Sequence, residues 1–216
     1  MTRTATAAAA LAFALGGAGS ASAQAPGGMS ASHFGGFDSI KTERFNFNLN
    51  TGDFSIPGHF TATREGSDVT ADRASGNSKR KIMHAQGNVV VHDDGTGGAH
   101  GAKTSELAQK PSTLTCDTLD VDGTTKIYTA TGNMHFVQAG REARSDRAVL
   151  DDANHHLHME GNVHVKNGDQ TIDAAVLDYD TQSGQLDGNG NVTIVAPVET
   201  AAPRTTTTVK KKKKIF

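Results

Sequence analysis

The chain is 216 residues long with a formal net charge of −2, 24 glycines, no tryptophan and one cysteine, Cys116. That length suffices for one domain with a core of its own, a lone thiol excludes an internal disulfide, and few aromatics with much glycine favour many short strands over helices. Residues 24–195 hold 14 Lys and Arg against 22 Asp and Glu, while Arg204 and Lys210 to Lys214 make the end basic; such an acidic body excludes a nucleic-acid-binding domain, which gathers positive charge on a folded face.

The chain opens on Met1-Thr2-Arg3, runs through an apolar stretch from Ala7 to Leu15 and reaches Ala21-Ser22-Ala23 before Gln24. A basic start, a short apolar run and small residues at the end describe a cleavable secretory signal, so residues 1–23 are expected to be a signal peptide. The apolar run breaks at Gly16-Gly17, short of the ~20 residues a membrane helix needs, and no Cys follows the cleavage point to carry a lipid. Residues 24–39 are expected to be a flexible linker and the mature protein to be exported to the periplasm.

From residue 40 to residue 195 the sequence repeats with a period of about 29, a feature to seek before any other. The first unit runs from Glu43-Arg44 through Phe45, Phe47, Phe54 and Ile56 to Gly58, then Phe60 and Ala62. The second starts at Asp72-Arg73, continues through Ala74, Gly76, Met83 and Ala85 to Gly87-Asn88, and ends on Val89 and Val91. A polar, Gly-rich insertion at 94–111 follows, expected as a loop. The third unit places Asp117, Leu119, Val121, Tyr128 and Ala130 before Gly132-Asn133, then Met134 and Phe136. The fourth places Asp146-Arg147, Ala148, Leu150, Leu157 and Met159 before Gly161-Asn162, then Val163 and Val165. The last has Asp173, Ala175, Leu177, Leu186 and Gly188 before Gly190-Asn191, then Val192 and Ile194. Residues 196–216, rich in Thr, Pro and Lys, read as a disordered Lys-rich tail.

Within every unit apolar residues alternate, the period of a half-buried strand. Asn50-Thr51-Gly52, Glu65-Gly66, Asp122-Gly123, Ala139-Gly140, Asn167-Gly168 and Ser183-Gly184 mark turns, of the kind that joins antiparallel neighbours. Glycine in the middle of such a run signals a bulge or bend. The expected architecture is therefore all-β: an antiparallel jelly-roll, or V-shaped folded sheet, with one apolar side. Each Asn after its Gly is expected to stack on its equivalents. The acidic residues Asp72, Asp117, Asp146 and Asp173 are expected to start strands and pair with Arg73 and Arg147, being too far apart for a calcium loop. Cys116 falls on the outward parity, as do His135, His156, His158 and His164. That histidine row lacks the companions of a zinc site, so no metal or cofactor is expected. Without Gly-x-Ser-x-Gly, a Cys with a convergent His, or a phosphate loop, no enzyme is expected.

Ala71-Asp72-Arg73-Ala74 and Ser145-Asp146-Arg147-Ala148, followed by Ala85-Gln86-Gly87-Asn88-Val89-Val90-Val91 and Met159-Glu160-Gly161-Asn162-Val163, give the sequence its likeness. It resembles the OstA-like family over roughly residues 40–195, in particular the family's small periplasmic bridge component of lipopolysaccharide transport. The resemblance implies a β-jelly-roll that stacks end to end between the inner and outer membranes and passes the acyl chains of lipopolysaccharide along its interior. Its partners would be lipopolysaccharide, an inner-membrane relay subunit, an outer-membrane assembly protein, and further copies joined head to tail. The lining would comprise Phe47, Phe54, Ile56, Phe60, Met83, Val89, Val91, Tyr128, Met134, Phe136, Leu150, Leu157, Met159 and Val163. Phosphates of the head group would meet Lys79, Arg80 and Lys81 or Arg141, Arg144 and Arg147. Phe45 to Asn48 and Val192 to Val195 are the candidate joining edges. The same alternation equally serves a closed core, as in a structural repeat or polysaccharide-binding protein of the cell envelope.

Overall fold

The computed structural model describes residues 37–64, 66–95, 110–180 and 183–196. The expected signal peptide 1–23 lies outside them, with nearly all of the linker 24–39, the insertion 94–111 and the tail 196–216. Among the described residues the regular elements are strands: β1 (Ser39–Thr42), β2 (Asn46–Phe47), β3 (Asp53–Ile56), β4 (Phe60–Arg64), β5 (Ser67–Ala71), β6 (Arg73–Asn77), β7 (Ile82–Asp93), β8 (Ser112–Asp122), β9 (Ile127–Gln138), β10 (Arg141–Asp151), β11 (His156–Asn167), β12 (Gln170–Asp180), β13 (Leu186–Asn189) and β14 (Thr193–Val195). No helix among them is long and apolar enough to cross a membrane.

All pairings are antiparallel, and the long strands β7 to β12 each serve two leaves. One leaf runs β2, β3, β6, then Ile82–Gln86, Thr118–Asp122, Ile127–Thr131, Arg147–Asp151, His156–Glu160 and Val176–Asp180, and ends on β13. The other runs β1, β4, β5, then Val89–Asp93, Ser112–Cys116, Met134–Gln138, Arg141–Ser145, Val163–Asn167 and Gln170–Ala174, and ends on β14. The inner faces of both leaves feed a single apolar cluster, so the sheet is folded upon itself as the repeat predicts.

The fold line is the row of Gly-Asn pairs. Gly87, Gly132, Gly161 and Gly190 have φ of 72 to 78° and the Asn after each has φ of 46 to 49°. This left-handed region is open to glycine and tolerated by asparagine, but costly for other side chains. Two residues on one strand then face one on the next: Gly87-Asn88 oppose Asp117 and Gly161-Asn162 oppose Ala175, with the register shifting on either side. Such a bulge bends the strand and sharpens its twist.

Five expectations are corrected at this line. The asparagines do not stack on one another; Asn88, Asn133 and Asn162 each donate Nδ2 to Oδ2 of Asp72, Asp117 and Asp146 at 2.8, 2.9 and 2.9 Å. The aspartates are therefore partners of the asparagines. Arg73 is turned instead to Gln86 and Arg147 to Glu160. Asp117 and Asp146 lie in the middle of β8 and β10, because the bulge lets one strand run through the corner. In the last unit the corner position belongs to Ala175, whose N–H donates to Gly190 O just as that of Asp72 donates to Gly87 O. Ala175 is thus exposed, and Asp173 bonds His164 at 2.6 Å. Finally, Cys116 is 5 % exposed and packed in the core, since the bulge beside Asp117 reverses the parity that continuous alternation assigns to it.

Candidate functional site

The register lays the inward side chains out in rows across the strands. Along the free margin of the first leaf the partners run Phe47, Phe54, Gly76, Met83, Val121, Tyr128, Leu150, Leu157, Tyr179, Leu186. Nearer the fold line lies a second apolar row through Ile56, Ala85, Leu119, Met159 and Leu177. On the second leaf a row passes from Ile40 through Ala62, Val69, Val91, Leu114, Phe136, Ala143, Val165 and Ile172 to Ile194. The weak second unit is explained here: a Cβ on Gly76 would sit 2.8 Å from the ring of Phe54, so the missing side chain makes room for an aromatic one.

Of the fourteen residues expected to line an acyl-chain path, Ile56, Phe60, Met83, Val89, Val91, Tyr128, Met134, Phe136, Leu150, Leu157, Met159 and Val163 are buried between the leaves. Phe47 and Phe54 are half-buried at the N-terminal end, where Phe45 stacks on both with ring centres 5.9 and 6.4 Å apart. The other end differs. Ile194 continues the inward row of the second leaf yet is 66 % exposed, beside Val192 and Val195 at 43 and 53 %. The candidate joining edges thus fall on the outermost strands, β2 at one end of the first leaf and β14 at the other end of the second.

The basic residues expected near a head group are spread over three places. Lys79, Arg80 and Lys81 form the hairpin joining β6 to β7, where Lys79 Nζ donates to Asn50 O. Arg144 and Arg147 point outward, 3.4 Å from Glu142 and 2.8 Å from Glu160. Arg141 has the inward parity of its neighbours Ala143 and Ser145, and its Nη1 is buried with no hydrogen-bond partner. The outward histidines meet acids across strands: His158 and His156 both approach Asp178, His135 lies 3.6 Å from Glu142, and His84 bonds Asp120. Among the described residues no group of three His, Cys, Asp or Glu could hold a metal ion.

Sequence reasoning missed the free margin of the second leaf. Its inward row is polar: Asp93, Ser112, Gln138, Arg141, Asn167 and Gln170 are consecutive register partners. The signal was available, for six residues after the glycines of the first four units stand Arg64, Asp93, Gln138 and Asn167, on the inward parity. The margins of the two leaves face each other, since the charge of Arg64 acts both on Asp93 in the second leaf and on Tyr128 in the first. Burial raises the Asp93 carboxyl above its ordinary value, raises the Tyr128 hydroxyl and pushes the Cys116 thiol up to about 12.

A search of curated proteins finds no match to this chain. Among solved structures, LptH of Pseudomonas aeruginosa, described as the LptA homologous periplasmic component of the conserved lipopolysaccharide transport device, aligns with a TM-score of 0.44 at 9 % identity, covering 74 % of this chain and 94 % of that one. The model of the family described as LptA/(LptD N-terminal domain) LPS transport protein matches residues 68–185, more than half of the chain. The chain belongs to this family of lipopolysaccharide-transport proteins.

Proposed function

We propose that this protein binds lipopolysaccharide through its acyl chains and carries it across the periplasm, from the inner to the outer membrane, as one element of a transport bridge. The observation that carries the reading is the set of apolar rows in the interior, which cross every strand of both leaves and continue to Ile194 at an open end. Each methylene withdrawn from water is worth ~0.8 kcal/mol, so such an interior holds an acyl chain without any charge. The flexible side chains of Met83, Met134 and Met159 suit an irregular guest. The exposed edge of β14, with Ile194 and Val195 uncovered, supports head-to-tail joining to a second copy or to the pathway's relay and assembly proteins, because an open strand edge pairs with another chain. The family is one of transport proteins, and no catalytic step is part of the reading.

Full burial of twelve of the fourteen lining residues favours a second reading, a closed core in a structural or polysaccharide-binding protein of the envelope. A photo-crosslinking residue at Met134 or Phe136 separates the two. Transport predicts an adduct with lipopolysaccharide in cells and lipid in the purified protein. A dry protein without adducts at either position refutes it.

A further inference from the structure

We propose that the polar margin of the second leaf binds a phosphorylated sugar head, on the same amphiphile whose chains enter the interior; this rests on the acyl-chain reading. The margin brings Asp93, Ser112, Gln138, Arg141, Asn167 and Gln170 onto neighbouring strands, spaced roughly 4.8 Å apart. Gln138 is 2 % exposed and donates Nε2 to Lys110 O at 3.0 Å, while its Oε1 has no hydrogen-bond partner. On the next strand the buried Nη1 of Arg141 also has none. Buried polar atoms without partners are rare in folded proteins and unfavourable, and these two have opposite needs.

Gln138 Oε1 accepts, so it calls for a hydroxyl or an amide N–H. Arg141 Nη1 donates, and a guanidinium is best met by the oxygens of a phosphate or carboxylate. One ligand offers both within the distance between adjacent strands: a sugar carrying free hydroxyls and a phosphate. Ser112, 8 % exposed, adds a hydroxyl. The margin of the first leaf is apolar at Met83, Val121, Leu150 and Leu157 and carries no charged side chain in that row, its polar atoms there being the hydroxyls of Tyr128 and Tyr179. An amphiphile would therefore lie with its chains between the leaves and its head on the second leaf. Arg144 and Arg147, turned outward to Glu142 and Glu160, do not belong to this site.

The test is binding of the full chain to four probes: palmitic acid, an acylated glucosamine disaccharide phosphate, the same lipid without phosphate, and glucosamine 1-phosphate without chains. The phosphorylated lipid should bind roughly tenfold or more tightly than its dephosphorylated form, as expected of one charge-assisted contact. Arg141→Met should abolish that preference and leave palmitic acid unchanged; Arg141→Gln serves if the first variant does not fold. Gln138→Leu should weaken both sugar lipids and spare palmitic acid. An undiminished phosphate preference in folded Arg141→Met overturns the proposal, and full competition by the chainless sugar phosphate overturns its assignment to a lipid head. Failure of the wild type to bind palmitic acid overturns the acyl-chain reading, and this proposal with it.

Discussion

Replacement of Gly161 by alanine tests whether the fold line is held together as described. Gly161 has φ +74°, and a Cβ built there would lie 2.3 Å from Asp146 Oδ2 and 2.7 Å from Asp146 Cβ. Rotating the carboxylate relieves the first contact but not the second, because Cβ is fixed to the backbone of β10. Gly140 is the control: its φ is +78° and a Cβ there meets nothing within 4 Å. Alanine at Gly140 pays only for the left-handed conformation, about 1 kcal/mol. At Gly161 the same term is joined by backbone strain of roughly 1 kcal/mol or more and by loss of the 2.9 Å Asn162–Asp146 bond, worth about 1 kcal/mol. Gly161→Ala should therefore destabilise by about 3 kcal/mol, a large share of the 5–15 kcal/mol typical of a domain. Urea denaturation of both variants, with the slope checked for constancy, measures the difference. Equal losses in the two variants would refute the corner geometry.

Two further outcomes follow from groups held away from water. Burial raises the Asp93 carboxyl in the folded state above its ordinary 3.8, so its charged form opposes folding. That penalty is complete above the folded pKa and fades as pH falls through and below 3.8, where the carboxyl becomes protonated in both states. Asp93→Asn keeps an oxygen for the N–H of Gly95, 2.7 Å from Asp93 Oδ1, and should raise the thermal midpoint at pH 7 but not at pH 3.5; an equal gain at both would refute the assignment. Cys116, with its thiol pushed up to about 12 by burial, should react with Ellman's reagent at pH 8 only after unfolding, because the thiolate is the reactive form. Prompt labelling of the native protein would return Cys116 to the surface.

What was legible in the sequence was the alternation, and with it the two apolar faces. The spacing of Gly87, Gly132, Gly161 and Gly190 marked the bend correctly because few residues other than glycine tolerate its backbone. Alternation failed just where the bulge adds a residue. Cys116 lies next to a corner and Ala175 occupies one, and counting by two across the bulge puts each on the wrong face. The partner of each Asn was hidden for a related reason. Asp72 and Asn88 are 16 residues apart, and only the two-against-one pairing brings them together. The polar margin is invisible to a count of apolar positions, because the sixth residue after each glycine, at Asp93, Gln138 and Asn167, obeys the same parity as the second and fourth with opposite chemistry.

The shared strands also constrain how a guest can enter. Each of β7 to β12 belongs to both leaves, so one leaf cannot slide past the other without breaking ladders in both. Separation about the fold line breaks none of them, because every ladder bond lies within a leaf and the leaves meet through apolar side chains. Such contacts are non-directional and proportional to area, so an acyl chain can replace those that Leu150, Met159 and Phe136 lose when the leaves part. On the proposed acyl-chain reading, a packed interior and a lipid path would be two states of one structure, their balance set by the methylenes a guest supplies against the side-chain contacts it displaces.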